Sequence, residues 1–172
     1  MSEFERLQRI DAIGAGEAVV EIAADEGERA ALARRFGWVS LDRLEARFTV
    51  HRDAAAIHAK GRVEAELVQS CVVTDVPLPA RVKEDVALRF LPDDGTRGDE
   101  LELEADDVDT VFYEGSAIDL GEAAAETLAL ALDPFPRAPG ADEVLKEAGV
   151  LSEGEAGPFG GLAALRDALK RD

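Results

Sequence analysis

The sequence predicts an α+β fold: an antiparallel β-meander or sheet packed by a few helices, with an acidic mobile loop and a docked C-terminal helix. Three observations predict it. Apolar and polar residues alternate with period two across roughly 43–91, two capped segments near 25–37 and 118–136 repeat apolar residues at helical spacing, and residues 92–109 carry nine acids beside one Arg97. Alternation marks strands that bury one face, whereas returns at three and four residues mark helices that bury a stripe.

Residues 17–24, EAVVEIAA, read as a short strand with Ala18, Val20 and Ile22 on one face. Residues 25–37 read as a helix: Asp25 caps it, Glu28 completes a capping box, Leu32 and Phe36 lie one turn apart, and Gly37 supplies the left-handed stop. Arg34 and Arg35 fall near its C-terminus, where cations complement the helix dipole. Trp38, Val39 and Leu41 lead into a strand in which Leu44, Ala46, Phe48 and Val50 alternate with Arg43, Glu45, Arg47 and Thr49. His51-Arg52-Asp53 reads as the turn. Ala55, Ile57 and Ala59 then begin the next run, where Gly61 marks a bulge or a bend.

The run from Gly61 to Phe90 organises the chain as a hairpin. Val63, Ala65, Leu67 and Cys71 face inward on the first strand, and Val82, Val86, Leu88 and Phe90 on the return. Only Glu84 breaks the second pattern. Pro77 and Pro79 cannot donate to a ladder, so they place a turn or an edge at Thr74–Pro79.

From about 92 to 110 the acids prevail, and such a segment buries too little apolar area to offset its ordering entropy. Leu101–Leu103 and Val111–Tyr113 read as short strands near its end. In 118–136 Asp119 caps a helix, Glu122 closes a second capping box, and Asp133-Pro134 ends it. Its apolar stripe is Leu120, Ala123, Ala124, Leu128, Ala131 and Leu132. Residues 137–157 read as a flexible connection with a helical turn near 142–148. Pro158 opens a final helix with Phe159, Leu162, Leu165 and Leu169 on one side, weakened by Gly160-Gly161 so that it forms when docked. Residues 1–172 read as a single domain.

Charge bounds the partners. The chain of 172 residues has 37 acidic and 19 basic side chains and a net charge of −18, distributed as −6 over 1–28, +3 over 29–89 and −15 over 90–172. A field of that sign repels phosphate backbones, so nucleic-acid contact has to be local, over a Debye length of about 8 Å. Basic proteins are attracted instead. The single Cys71 rules out an intramolecular disulfide framework, and the lack of a signal-like or membrane-length apolar run leads to an expectation of a cytoplasmic protein without membrane contact. With His51, His58 and Cys71 as the only residues of their kinds, no catalytic constellation or four-ligand zinc set is legible. The chain is therefore expected to be neither an enzyme nor a metal or cofactor protein.

Four motifs in order carry a family resemblance. Gln69-Ser70-Cys71-Val72-Val73-Thr74 falls in the hairpin, with Arg89-Phe90 at its end. Ile118-Asp119-Leu120 precedes Glu126-Thr127-Leu128-Ala129-Leu130 and Pro134-x-Pro136, and Pro158-Phe159-x-x-Leu162-x-x-Leu165 closes the series. From about Val63 to Arg166 the chain resembles the YceD family, the large ribosomal RNA subunit accumulation proteins of bacteria and plastids. Its N-terminal part is similar to the α-proteobacterial form. The matching positions are Cys71, Phe90, Asp119, Leu120, Glu126, Leu128, Pro136, Pro158 and Phe159. Many members show Cys-x-x-Cys in the hairpin and a further cysteine downstream, a pattern that suggests a metal. Here Thr74 occupies the second position and no cysteine follows Pro136, so no metal is carried over.

The resemblance implies a role in accumulation or processing of 23S ribosomal RNA during large-subunit assembly. The preferred reading is a non-enzymatic factor whose basic strand faces, through Arg43, Arg47, Lys60, Arg62, Arg81, Lys83 and Arg89, meet 23S RNA or a pre-50S particle weakly. The rival is an acidic module in which Asp93, Asp94, Asp99, Glu100, Glu102, Glu104, Asp106, Asp107 and Asp109 engage a basic ribosomal protein or a processing nuclease.

Overall fold

The computed structural model describes residues 2–93 and 109–150. Of the acidic loop expected over about 92–110, Pro92 belongs instead to β5 and Asp109 and Thr110 to β6, where pairing orders them; residues 94–108, with the expected strand at Leu101–Leu103, and the expected terminal helix with Pro158 and Phe159 lie outside the described residues. The described elements, in order, are β1 (Leu7–Arg9), a short 3-10 turn, β2 (Ala18–Ala23), α1 (Glu26–Phe36), β3 (Ser40–Arg52), β4 (Ile57–Ser70), β5 (Pro77–Pro92), β6 (Asp109–Tyr113), β7 (Ala117–Asp119), α2 (Leu120–Ala131) and α3 (Ala141–Glu147). Strands β2-β3-β4-β5-β6 form one sheet in that spatial order, and β1 pairs with β7 in a second. The α+β expectation holds.

The meander is antiparallel from β2 to β5, but β6 joins β5 in parallel, with Phe90 opposite Val111. Period-two alternation specifies a half-buried strand without specifying the direction of its neighbour, and a parallel neighbour needs a long connection, for which the chain between Pro92 and Asp109 has the length. The ladder also departs from expectation at Gly61. Pairing runs through this residue without a slip, and the register shift lies between Leu41 and Arg43. A Cβ at position 61 would collide with the Arg47 carbonyl on the facing strand. Glycine here permits close approach of two backbones rather than a bulge.

The turn of the hairpin spans Cys71–Val76, and both prolines sit inside β5. Over residues 77–87 β5 pairs with β4 alone among the described strands. Glu84, opposite Val63 on the inward side, is nevertheless exposed. Prolines and an inward-pointing charge on an open edge discourage pairing with a second chain. This accounts for the one break in the alternation.

One face of the sheet is apolar apart from Glu84 at its edge. Leu44, Ala46, Phe48 and Val50 on β3, Ile57, Ala59, Val63, Ala65 and Leu67 on β4, and Val82, Val86, Leu88 and Phe90 on β5 are buried with Leu32 and Ala33 of α1 and Leu120, Ala123, Ala124 and Leu128 of α2. Helix α1 has the expected capping box between Asp25 and Glu28, with both hydrogen bonds at 2.8 Å, and ends at Gly37 with φ 71°. Helix α2 differs in two details. Ala131 is exposed at its last turn, and Glu122 does not close a capping box. Asp119 alone caps, accepting from Gly121 and Glu122, while the Glu122 carboxylate binds Arg35 of α1 at 2.6 Å and the Ser2 hydroxyl at 2.7 Å. Asp119 also accepts the Arg6 N–H at 2.8 Å, which ties the N-terminal residues down and seats Phe4 in the core.

The chain divides by contact into two compact units, Met1–Ser70 with Pro77–Pro134, and Cys71–Val76 with the chain from Phe135 onward. In the second, Asp75 adopts φ 58° and donates to the Cys71 carbonyl at 3.0 Å, while Cys71 donates to Val76 at 2.9 Å. Val72 N–H reaches Pro136 O at 3.0 Å, and Ala138 N–H reaches the Cys71 sulfur at 3.2 Å. The helical turn expected near 142–148 is α3.

Candidate nucleic-acid interface

Because β3, β4 and β5 bury alternate residues, the intervening side chains share the opposite face, and among the described residues no helix covers it. The register arranges this face in rows. Glu21, Arg47, Arg62 and Asp85 form one across β2 to β5. Glu45, Glu64 and Lys83 form the next, then Arg43, Glu66 and Arg81.

Within these three rows every expected RNA-binding cation has its own carboxylate. Arg43 binds Glu45 at 2.7 Å, Arg47 binds Glu21 at 3.2 Å, Arg62 binds Asp85 at 2.7 Å, Lys83 meets Glu64 at 3.3 Å and Arg81 meets Glu66 at 3.6 Å. Asp85 and Glu45 are held below the ordinary carboxylate range, first by hydrogen bonds from Arg62 and Arg43 respectively. The alternation places these cations on one face beside Glu64, Glu66 and Asp85 and so allows them to be ordinary paired surface charge, but which acid each cation meets depends on cross-strand register.

The other end of the same face differs. Lys60 and Arg89 have no carboxylate partner among the described residues, and Arg89 instead donates to the Thr110 hydroxyl at 3.0 Å. Between them, His51 and His58 are cross-strand partners whose rings stack with centroids 5.0 Å apart. The next row is His51, His58, Arg89 and Thr110, flanked by Thr49 and Lys60. Phe112, two residues beyond Thr110 and therefore on the same side of β6, is 41% exposed. His58 Nε2 lies 2.8 Å from Asp53, whose carboxyl is lowered to about 2 by the N–H groups of Ala56 and Ala55 and then by His58. The sequence reading took His51 as part of a turn. Extending β3 to Arg52 places it opposite His58, a signal available only once strand length is known.

Of the expected acidic residues, Asp93 ends the run after β5 and Asp109 opens β6, while Asp94, Asp99, Glu100, Glu102, Glu104, Asp106 and Asp107 lie outside the described residues. The resemblance positions are mostly structural: Phe90, Leu120 and Leu128 are core, Asp119 is the cap, Pro136 receives Val72, and Glu126 is exposed.

Cys71 tests the metal that the Cys-x-x-Cys pattern suggests. Its thiol is lowered to about 7, first by the Thr74 hydroxyl facing it and then by the Ala138 N–H. Thr74 Oγ1 is buried against that sulfur without a partner of full hydrogen-bond geometry. A zinc site needs about four ligands such as thiolates, imidazoles and carboxylates. A hydroxyl stands where the second thiolate would be, and no group of three such ligands gathers among the described residues. The residues do not fit a metal.

The fold and this face define a small α+β protein whose central sheet presents one charged side to solvent. The chain belongs to the YceD family, described as the large ribosomal RNA subunit accumulation protein, whose model matches residues 59–166. No curated protein and no solved structure matches it. The family is one of ribosomal RNA accumulation factors, which ties the chain to large-subunit ribosome biogenesis. Among the described residues no helix is long and apolar enough to cross a membrane.

Proposed function

We propose that this protein is a non-enzymatic, cytoplasmic assembly factor that promotes accumulation of 23S ribosomal RNA by contacting RNA of the assembling large subunit through the open side of its sheet. The observation that carries this reading is a solvent-facing sheet side on which seven cations lie in a chain of a ribosomal RNA accumulation family. The five ion pairs there do not remove it, because exposed pairs contribute only about 0.2–1 kcal/mol and a phosphate can take a carboxylate's place. They do make the contact weak, which suits a factor that must leave the particle. The test is binding of purified protein to transcribed 23S fragments across a salt series, alongside ribosomal RNA levels in cells lacking it. Affinity that falls steeply with salt and lost 23S RNA are expected; no RNA binding at low salt overturns the reading.

A second reading rests on the same pairs. With five cations occupied and a net charge of −18, the long-range field attracts a basic ribosomal protein, and the acidic stretch from Asp93 to Asp109 would be its contact. Co-purification of such a protein, lost on deleting 94–108, would favour it.

A further inference from the structure

The open sheet side is not uniform, and the difference names what it takes. The three rows with Arg43, Arg47, Arg62, Arg81 and Lys83 together hold five cations and five carboxylates, so they offer a phosphate no net attraction. The end carrying Lys60 and Arg89 has two cations without carboxylate partners among the described residues, an imidazole stack and an exposed phenyl ring within three rows. Duplex RNA hides its bases, so a protein meets it through shape, 2′-hydroxyls and phosphates, and gains nothing from aromatic rings. An unpaired strand exposes base faces that stack on His, Phe or Tyr while its phosphates seek cations.

We infer that the His51–His58 stack, Lys60, Arg89 and Phe112 form a platform for single-stranded RNA. The two cations hold backbone phosphates and the rings receive unstacked bases. Asp53, fixed by two backbone N–H groups, orients His58 from the turn. The inference rests on the RNA reading above and narrows it to one end of the sheet and one form of RNA.

The test uses the full chain with a fluorescent single-stranded oligoribonucleotide and with the same sequence annealed to its complement, by anisotropy over a salt series. The wild type is expected to prefer the single strand by tenfold or more. Lys60→Ala with Arg89→Ala should flatten the salt slope by about 1.4, from about 0.7 per phosphate contact. Phe112→Ser should weaken single-strand binding about tenfold, within the range for one stacked base. Lys83→Ala with Glu64→Ala, which removes one pair of the neutralised half whole and leaves the local charge unchanged, should leave affinity within about twofold. Lys60→Ala alone, at an exposed residue without a partner among the described residues, keeps the test valid should loss of the Arg89–Thr110 contact perturb folding; it is expected to reduce the slope by about half as much. Equal affinity for duplex and single strand, or equal losses in both halves of the face, overturns the platform while leaving RNA contact standing. No binding to either RNA, together with capture of a basic ribosomal protein, overturns both.

Discussion

Arg62 and Asp85 face each other across β4 and β5 and share two hydrogen bonds of 2.7 and 2.9 Å. Both side chains are more than half exposed, at 56% and 73%, so the pair contributes little to stability and much to the local field. On the other side Arg62 is registered against Arg47, so Asp85 offsets one of two adjacent cations. Asp85→Asn is therefore expected to leave the melting temperature almost unchanged. It should raise salt-sensitive affinity for single-stranded RNA several-fold by freeing Arg62. Thermal melting and anisotropy measure the two effects separately. Unchanged affinity would mean that ion pairing is not what keeps this half of the face silent.

Arg35 joins helix α1 to Glu122 of α2 at 2.6 Å and to Glu3 at 3.0 Å. Hydrogen bonds from Arg35, and from the Ser2 hydroxyl, hold the Glu122 carboxyl below its ordinary value of 4.5. A depressed carboxyl contributes stability that is complete above its unfolded value and disappears as pH falls through the lower folded one. Glu122→Gln is expected to lower stability by about 1 kcal/mol at pH 7, since this pair is partly shielded and belongs to a network. The gap between wild type and variant should close as pH drops below about 4.5. Denaturant titrations at pH 7 and at acid pH check this; a gap that widens toward acid contradicts the assignment.

These two pairs show what the sequence could and could not disclose. Short-range features were legible: the Asp25–Glu28 box, the Gly37 stop, the Asp119 cap, and the inward sets from Leu44 to Phe90 follow from spacing alone. Partners far apart in sequence were not. Glu122 sits where a capping box predicts it but turns to Arg35, 87 positions away, because a charged guanidinium is a stronger partner for a carboxylate than a backbone N–H. β1 and β7, three residues each, are too short for alternation to reveal. The functional face was legible as a set of cations and illegible as a set of pairs, since Arg81 meets Glu66 and Lys83 meets Glu64 only in one register.

Gly61 makes a sharper test of register. Its missing Cβ lets β4 lie against β3 where the Arg47 carbonyl oxygen would otherwise be struck, and the Arg47 carbonyl carbon and Phe48 Cα would each lie only 2.9 Å from an added Cβ. Backbone cannot swing aside as a side chain can. Gly61→Ala is expected to cost about 2–4 kcal/mol, read as a lower denaturation midpoint. Gly16→Ala, whose added Cβ meets nothing within 4 Å, should be near neutral. Equal effects at the two sites would show that chain entropy, and not the β3–β4 approach, governs position 61.

Cys71 closes its turn through sulfur. Burial raises the thiol, but the Thr74 hydroxyl and the N–H groups of Ala138, Val73 and Thr74 outweigh it and bring the group to about 7 from an ordinary 9.0. The stability gained from the thiolate is therefore complete above about pH 9 and lost as pH falls through about 7, so the wild type should gain stability between these limits. Cys71→Ala should lack that gain. A chelator should leave both proteins unchanged at either pH, because Thr74 stands where a second thiolate would be needed and the sulfur's partners are N–H and O–H groups. Melting curves at both pH values, with and without chelator, read all of this together. A chelator-induced fall in the wild type alone would place a metal on Cys71 and undo the hydrogen-bonded account of this turn.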